Sequence, residues 1–274
     1  AVYAPGPARA TGGAAAVAIL LSRVPASQAA IRCDLKPIGH AAADVYDFYK
    51  AEAGSEYPQV DGPLSVDCYL RSVEAAIRDY GLEAGVSDGL RDDLGIPCSP
   101  APDVLLFHTP FSKIAHKALK RLPVSEEAEE ASLKCLQLTS LLGNSYCASL
   151  YVNLLYFLTT QLMDTYDGAV KRVLMVSYGS GLMASSFGIC VRGDLLDEHC
   201  SWLPQVSEQL NTDLHDRLRV SAHEFTRMLQ EREDQFKEPR GWMISGEMLK
   251  GVRKGAYYLH SIDERFRRRY LQKP

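Results

Sequence analysis

Short apolar runs and helix-spaced apolar positions take turns along this chain, and that alternation predicts a mixed α and β protein. The run Ala14–Leu21 follows the turn Thr11-Gly12-Gly13 and reads as a buried strand. Leu64, Leu70, Val73, Ile77 and Tyr80 then recur at helical spacing between Asp61-Gly62-Pro63 and Gly81, so a helix fills that stretch, with proline near its first turn and glycine after its last. Asp103–Phe107 is a short β-favouring run, and Pro110 bars an uninterrupted helix from starting upstream of it. From Phe111 onward, Ile114, Ala118 and Leu119 alternate with Lys113, Lys117 and Lys120 as an amphipathic helix.

Further along, Leu150, Leu154, Phe157, Leu158 and Leu162 predict another helix. A strand Arg172–Ser177 follows, then the bend Tyr178-Gly179-Ser180-Gly181 and a strand Met183–Val191. From Leu203 to Phe236 the spacing of Val206, Leu210, Leu214, Leu218, Phe225 and Leu229 predicts helices, and Tyr257–Ile262 alternates as a closing strand. The segments Val86–Pro102 and Pro123–Ala131 read as surface connections or polar helix starts.

Composition narrows the classes. With 274 residues and 46% hydrophobic content the chain can bury a large core. A net charge of −4 draws it to neither nucleic acid nor an anionic membrane. The arginines 265, 267, 268 and 269 form a short basic run that reads as an ion-paired, solvated face. Seven cysteines show no CxxC pair and no zinc spacing, and an odd count argues against a disulfide framework, so a reducing compartment is expected. Ala14–Leu21 has the look of a signal peptide after Arg9, but Pro5, Pro7, Gly12 and Gly13 precede it and no initiator methionine is present. Eight apolar residues cannot span a bilayer as a helix, so no membrane partner is expected. Neither a Walker loop nor a Rossmann fingerprint is present.

The candidate chemistry gathers at Phe107-His108-Thr109-Pro110-Phe111-Ser112-Lys113, which sets a histidine at a strand-to-helix break. Lys113 and Lys117 are one turn apart on the helix that follows, where two ammonium groups reach one phosphate-bearing ligand. In most proteins an isolated pattern of this kind is a strand cap beside ordinary solvated charge. Ser180 lies on a glycine bend that lacks the strand-to-helix setting of a hydrolase elbow.

Several motifs then combine: Ala8-Arg9-Ala10-Thr11-Gly12-Gly13, Tyr46-Asp47-Phe48-Tyr49-Lys50, Ser55-Glu56-Tyr57-Pro58, Val60-Asp61-Gly62, Phe107-His108-Thr109-Pro110, Gly143-Asn144-Ser145-Tyr146 and Tyr178-Gly179-Ser180-Gly181. In this order they resemble hydroxymethylglutaryl-CoA synthase, mainly its C-terminal half. Tyr258-Leu259, Asp263-Glu264 and Arg268-Arg269-Tyr270 resemble that family's closing segment. The resemblance implies an α/β, thiolase-like fold, a mixed sheet layered with helices. It divides the chain into residues 1–50, the end of an N-terminal half, and 51–274, the C-terminal synthase domain.

The resemblance also implies an acyltransferase that condenses acetyl-CoA with acetoacetyl-CoA in mevalonate and isoprenoid synthesis. It implies a homodimer, a cytoplasmic or mitochondrial setting, and no permanently bound cofactor, coenzyme A thioesters being substrates. It assigns catalytic roles to His108, Asn144 and Ser180, and contacts with coenzyme A to Thr11, Ser65, Lys113 and Lys117. Asp47 is a lesser candidate. A histidine suits a growing alkoxide because its ordinary pKa lies near neutrality.

Three departures qualify the likeness. The family's acetyl-carrying cysteine and acid/base glutamate lie upstream of the part that resembles Val2, and Cys147, expected as a buried structural thiol, does not replace the former. Pro7 stands where the family usually has an asparagine. The connection from Lys120 to Gly143 is short. A non-catalytic fragment that binds CoA thioesters or a partner is the alternative, and a ketoacyl synthase fits the motifs less well.

Overall fold

A computed structural model describes residues 1–85, 102–162 and 169–274. The chain forms two units, Ala1–Tyr49 with Pro58–Leu210, and Lys50–Tyr57 with Asn211–Pro274.

The first unit is built on a four-stranded sheet. Its strands are β1 (Ile31–Ala42), β4 (Val104–Phe107), β5 (Val170–Gly179) and β6 (Met183–Arg192), in the order β1-β6-β5-β4. Two further strands, β2 (Phe48–Tyr49) and β3 (Gln59–Val60), pair with each other. β4 runs parallel to β5, and the other pairs of the large sheet are antiparallel.

β4 and the facing stretch Val173–Val176 of β5 are apolar throughout because both of their faces are covered. Leu105, Phe107, Leu174 and Val176 join one core with Tyr69, Leu70, Val73 and Ala76 of α1 (Gly62–Gly85). Val104, Leu106, Val173 and Met175 join the other with residues such as Leu150 of α4 (Ala148–Tyr156) and Cys135 of α3 (Glu126–Leu142). Each fully buried leucine or valine there contributes roughly 1.5–3 kcal/mol. α1 lies hard against β1: a Cβ on Gly39 would stand 2.0 Å from the Ala76 carbonyl oxygen.

Most expected elements are present. The helix after Asp61 starts at Gly62 but runs through Gly81 to Gly85, so that glycine does not end it as expected, and α2 (Ser112–Leu119) starts just past Phe111. The acidic stretch 126–130 opens α3, where the Ser125 hydroxyl caps the Ala128 N–H at 3.2 Å and the glutamates sit at the favourable end of the helix dipole. The segment expected at Val86–Pro102 falls, except for Pro102, outside the described residues.

One expectation fails. Ala14–Leu21 forms no strand ladder, and Ile19, Leu20 and Leu21 are 51%, 91% and 85% exposed. An apolar run becomes a strand only where a neighbour accepts its hydrogen bonds, and among the described residues none lies alongside.

The second unit contains the end of the helix Leu203–His215, the helices Ala222–Lys237 and Gly246–Lys250, and a hairpin of β7 (Tyr257–Ile262) and β8 (Arg268–Gln272). Ser221 and Ser245 cap the latter two helices. Within the basic run, Arg267 pairs with Asp263 at 2.7 Å.

Candidate functional site

The site begins where β4 ends. His108 continues the ladder by donating its N–H to the Val176 carbonyl at 2.8 Å, and Pro110 then prevents further pairing. The carbonyls at this strand end are met by side chains. Asn153 of α4 donates to the Phe107 oxygen at 2.9 Å and to the Thr109 hydroxyl at 3.1 Å, and Tyr69 of α1 donates to the His108 oxygen at 2.8 Å. Helices on both sides of the sheet therefore fix the backbone that carries the histidine.

The His108 side chain is buried, at 7% exposure. Its Nδ1 lies 3.0 Å from the Ser149 hydroxyl, which also accepts the Thr109 N–H at 3.0 Å and donates to the Tyr146 carbonyl at 2.9 Å. Burial pushes the imidazole pKa down to about 4, against a hydrogen bond to the Tyr146 backbone that raises it. The sequence suggested a group titrating near neutrality; in the fold burial favours the uncharged ring, and the Tyr146 hydrogen bond offsets only part of that effect.

Asn144 reaches the same network through Tyr146. Its Oδ1 accepts the Tyr146 N–H at 3.0 Å, and its Nδ2 donates to the Tyr3 hydroxyl at 2.6 Å. The bend at Gly143–Tyr146 needs its glycine, since Gly143 has φ 75° and its Cα lies against the Gly12 backbone. Thr11 is adjacent, with its carbonyl accepting the Asn144 N–H at 2.8 Å and its hydroxyl donating to Ala8 at 2.7 Å.

The other flank is the β5–β6 bend. Tyr178 stacks on His108 with ring centroids 6.1 Å apart, and exposed Ser180 donates to the Tyr178 hydroxyl at 3.3 Å. The Tyr178 hydroxyl donates to Asp47 Oδ2 at 3.2 Å. Burial, ahead of the neighbouring Asp47 charge, raises the Tyr178 pKa, while the Ser180 hydroxyl lowers it. Asp47 itself is fully buried and its Oδ1 has no partner among the described residues. The segment arrives there because Ala43 and Leu182 exchange backbone hydrogen bonds of 3.1 and 2.7 Å.

His108, Asn144 and Ser180 are thus joined into one network, with Thr11 against Asn144 and Asp47 against Tyr178. Lys113 and Lys117 are exposed on α2, which starts four residues after His108. Ser65 is half-buried in the first turn of α1, and among the described residues no hydrogen bond ties it or the lysines to this network. Pro7 is exposed and opens the short turn Pro7–Thr11. Cys147 is exposed at the N-cap of α4, not buried as expected, since burial along this helix begins only at Ser149 and Leu150. Tyr178, Ser149, Tyr69, Asn153 and Tyr3 were not foreseen as site residues. Tyr178 stood inside a quoted motif, whereas nothing local distinguishes the other four. Among the described residues no cluster of histidine, cysteine, aspartate and glutamate could hold a metal, and no helix is long and apolar enough to cross a membrane.

Comparison with known proteins gives a consistent result. The chain is 31% identical to mitochondrial hydroxymethylglutaryl-CoA synthase of Bos taurus and 32% identical to that of Homo sapiens, covering all of this chain and 61% of each relative. It therefore spans about three fifths of their length. The alignment with the bovine protein runs to 326 positions against 274 residues here, so that relative carries extra residues opposite gaps in this chain. The enzyme of Schizosaccharomyces pombe is 30% identical over 67% of its length.

Among solved structures, the curacin-pathway HMG synthase in complex with apo donor-ACP superposes with a TM-score of 0.70 at 22% identity, covering 88% of this chain and 58% of that one. MvaS in complex with 3-hydroxy-3-methylglutaryl coenzyme A superposes with a TM-score of 0.61 at 25% identity, covering 89% and 58%. These superpositions bear out the thiolase-like α/β fold. The family model for the hydroxymethylglutaryl-coenzyme A synthase C terminal matches residues 37–142 and 125–273, and the chain belongs to the hydroxymethylglutaryl-CoA synthase family.

Proposed function

We propose that this chain is the substrate-binding part of a hydroxymethylglutaryl-CoA synthase, which joins acetyl-CoA to acetoacetyl-CoA. The observation that carries the reading is the network that unites His108, Asn144 and Ser180 at the end of β4 and the β5–β6 bend. In the condensation, an acetyl carbon that has lost a proton bonds to the ketone carbon, the carbonyl electron pair moves to oxygen, and that oxygen takes up a proton. A buried network held by two helices keeps its polar groups at fixed distances where that charge changes. His108 supplies the proton-transferring ring and Asn144 a remaining amide proton for a thioester oxygen. Ser180 supplies a hydroxyl to the acyl chain.

Lys113 and Lys117 meet the phosphates of coenzyme A, and Thr11 and Ser65 its pantetheine arm. Residues 1–50 complete an N-terminal thiolase-like half, and 51–274 form the C-terminal domain. The family's cysteine nucleophile and glutamate act from that other half, in a homodimer, in the cytoplasm or mitochondrion. The product enters mevalonate and isoprenoid synthesis.

A second reading, thioester binding without chemistry, is favoured by the thiols. Burial raises the pKa of Cys33, Cys68 and Cys200, and no described cysteine is bonded to His108.

Calorimetric titration with acetoacetyl-CoA tests both. The expected result is saturable binding that weakens at least tenfold in His108→Ala and in the double variant Lys113→Ala, Lys117→Ala. Binding unchanged by either variant would sink the site assignment. Turnover with acetyl-CoA when an N-terminal half from a relative is supplied separates the synthase reading from mere binding.

A further inference from the structure

We infer that Asn153 is a positioning residue for His108: one amide spans the residue before the histidine and the residue after it, and ties both to α3. The inference rests on the reading of His108 as the reacting imidazole and adds what sets the place of that ring.

β4 is the last strand of its sheet, so its outer edge has no ladder partner among the described residues and side chains must supply the hydrogen bonds. At the end that carries His108, the Asn153 amide does this on both flanks. Its Nδ2 donates to the Phe107 carbonyl at 2.9 Å and to the Thr109 hydroxyl at 3.1 Å. The Phe107 carbonyl can only accept, so turning the amide over would set Oδ1 against it, lone pair against lone pair. The Thr109 hydroxyl already gives its proton to the Phe107 oxygen at 2.9 Å and has none left for a turned Oδ1. Nδ2 therefore faces the strand.

Oδ1 then faces α3, where the Thr139 hydroxyl lies 3.1 Å away. That hydroxyl is also 3.2 Å from the Leu136 carbonyl, but an oxygen inside α3 has the helix N–H four residues on, whereas Oδ1 has no other donor among the described residues. Phe107, Thr109, Thr139 and Asn153 are all buried, so water does not stand in for a lost partner. Through these bonds the helix of the short connection from Lys120 to Gly143 bears directly on the turn that holds the imidazole. The ring is placed by the length of that connection as well as by the sheet.

The test uses 13C-labelled histidine and the proton–carbon signal of the His108 ring, which His108→Ala assigns among the seven histidines. Tyr178 stacks on that ring with centroids 6.1 Å apart, so its ring current makes the signal sensitive to where the imidazole sits. Asn153→Leu keeps the volume and removes every hydrogen bond of the amide. Val191→Ala, an apolar deletion at a fully buried position on β6, is the control for lost stability alone. The expected signal is single in the wild type, unmoved in Val191→Ala, and displaced or split in Asn153→Leu. A folded Asn153→Leu whose His108 signal stays at the wild-type position overturns the inference, and so does a Val191→Ala that displaces it as far. Should Asn153→Leu fail to fold, Thr139→Val, which removes only the donor to Oδ1 at nearly constant shape, decides by the same signal: displacement supports the inference and an unmoved signal overturns it. The spectrum needs no substrate, so a misassigned positioning residue and a failed thioester site are read separately.

Discussion

Around His108, the side chains of Thr109, Asn144, Ser149 and Asn153 are at most 4% exposed, and each makes hydrogen bonds. In the second unit the helix Ala222–Lys237 has no buried residue, and its polar side chains pair along its own surface, Arg227 with Glu231 and Lys237 with Glu233, or with Glu56 through Arg232. The first arrangement fixes atoms in one geometry because every alternative leaves a buried polar group unpaired. The second tolerates change, because water replaces each lost partner. Chemistry that depends on tenths of an ångström belongs to the first kind of region.

Four experiments press on that contrast, and the two tryptophans make it measurable. Trp202 reports the first unit when Trp242→Phe removes the other, and Trp242 reports the second in Trp202→Phe. The largest effect is expected from Gly39→Ala, whose new methyl would stand 2.0 Å from one backbone atom of α1 and 2.3 Å from another. A loss of more than about 4 kcal/mol, seen as a vanished Trp202 transition, places it in the exceptional class. Leu106→Ala empties a position that is fully buried and should cost about 3–4 kcal/mol in urea unfolding followed by Trp202.

The third experiment is a pH series. The His108 pKa is lowered from 6.5 to about 4 in the fold, so between these values the unfolded chain binds a proton that the folded chain refuses. Stability is flat above pH 6.5 for this group, falls as pH drops through the window, and has lost up to about 3 kcal/mol once pH is below 4. The difference in unfolding energy between wild type and His108→Phe isolates that slope. An unchanged difference from pH 7 to 4 would show the ring to be solvated. The smallest effect is expected in the second unit, where Arg232→Ala removes exposed hydrogen bonds of 2.6 and 2.9 Å to Glu56 and should shift the Trp242 transition by less than about 1 kcal/mol. A loss of several kcal/mol there would dissolve the contrast.

Much of the first unit was legible because its signals are local. The apolar strand 103–107, the proline after it and the helical spacing from Phe111 are enough to place His108 at a strand end. The glycine bend at 179–181 was equally plain. What sequence did not disclose depends on distance. Ser149 looks like any serine near a helix start, and only the approach of α4 to β4 brings it to Nδ1. The depressed His108 pKa is likewise a property of burial, invisible in the residue itself. Ala14–Leu21 failed in the opposite direction: its pattern was local and clear, but a strand also needs a neighbour, which a pattern cannot supply.

Gly13 and Gly143 meet backbone to backbone, so that a Cβ on the first would stand 1.9 Å from the Leu142 oxygen and one on the second 2.4 Å from the Gly12 oxygen. In a saturation mutagenesis library these two columns would come out as blank as that of His108, although neither glycine handles a proton. Intolerance alone would list them among the chemical residues. Only a screen that scores folding and turnover separately would tell the residues that act from those that merely leave room.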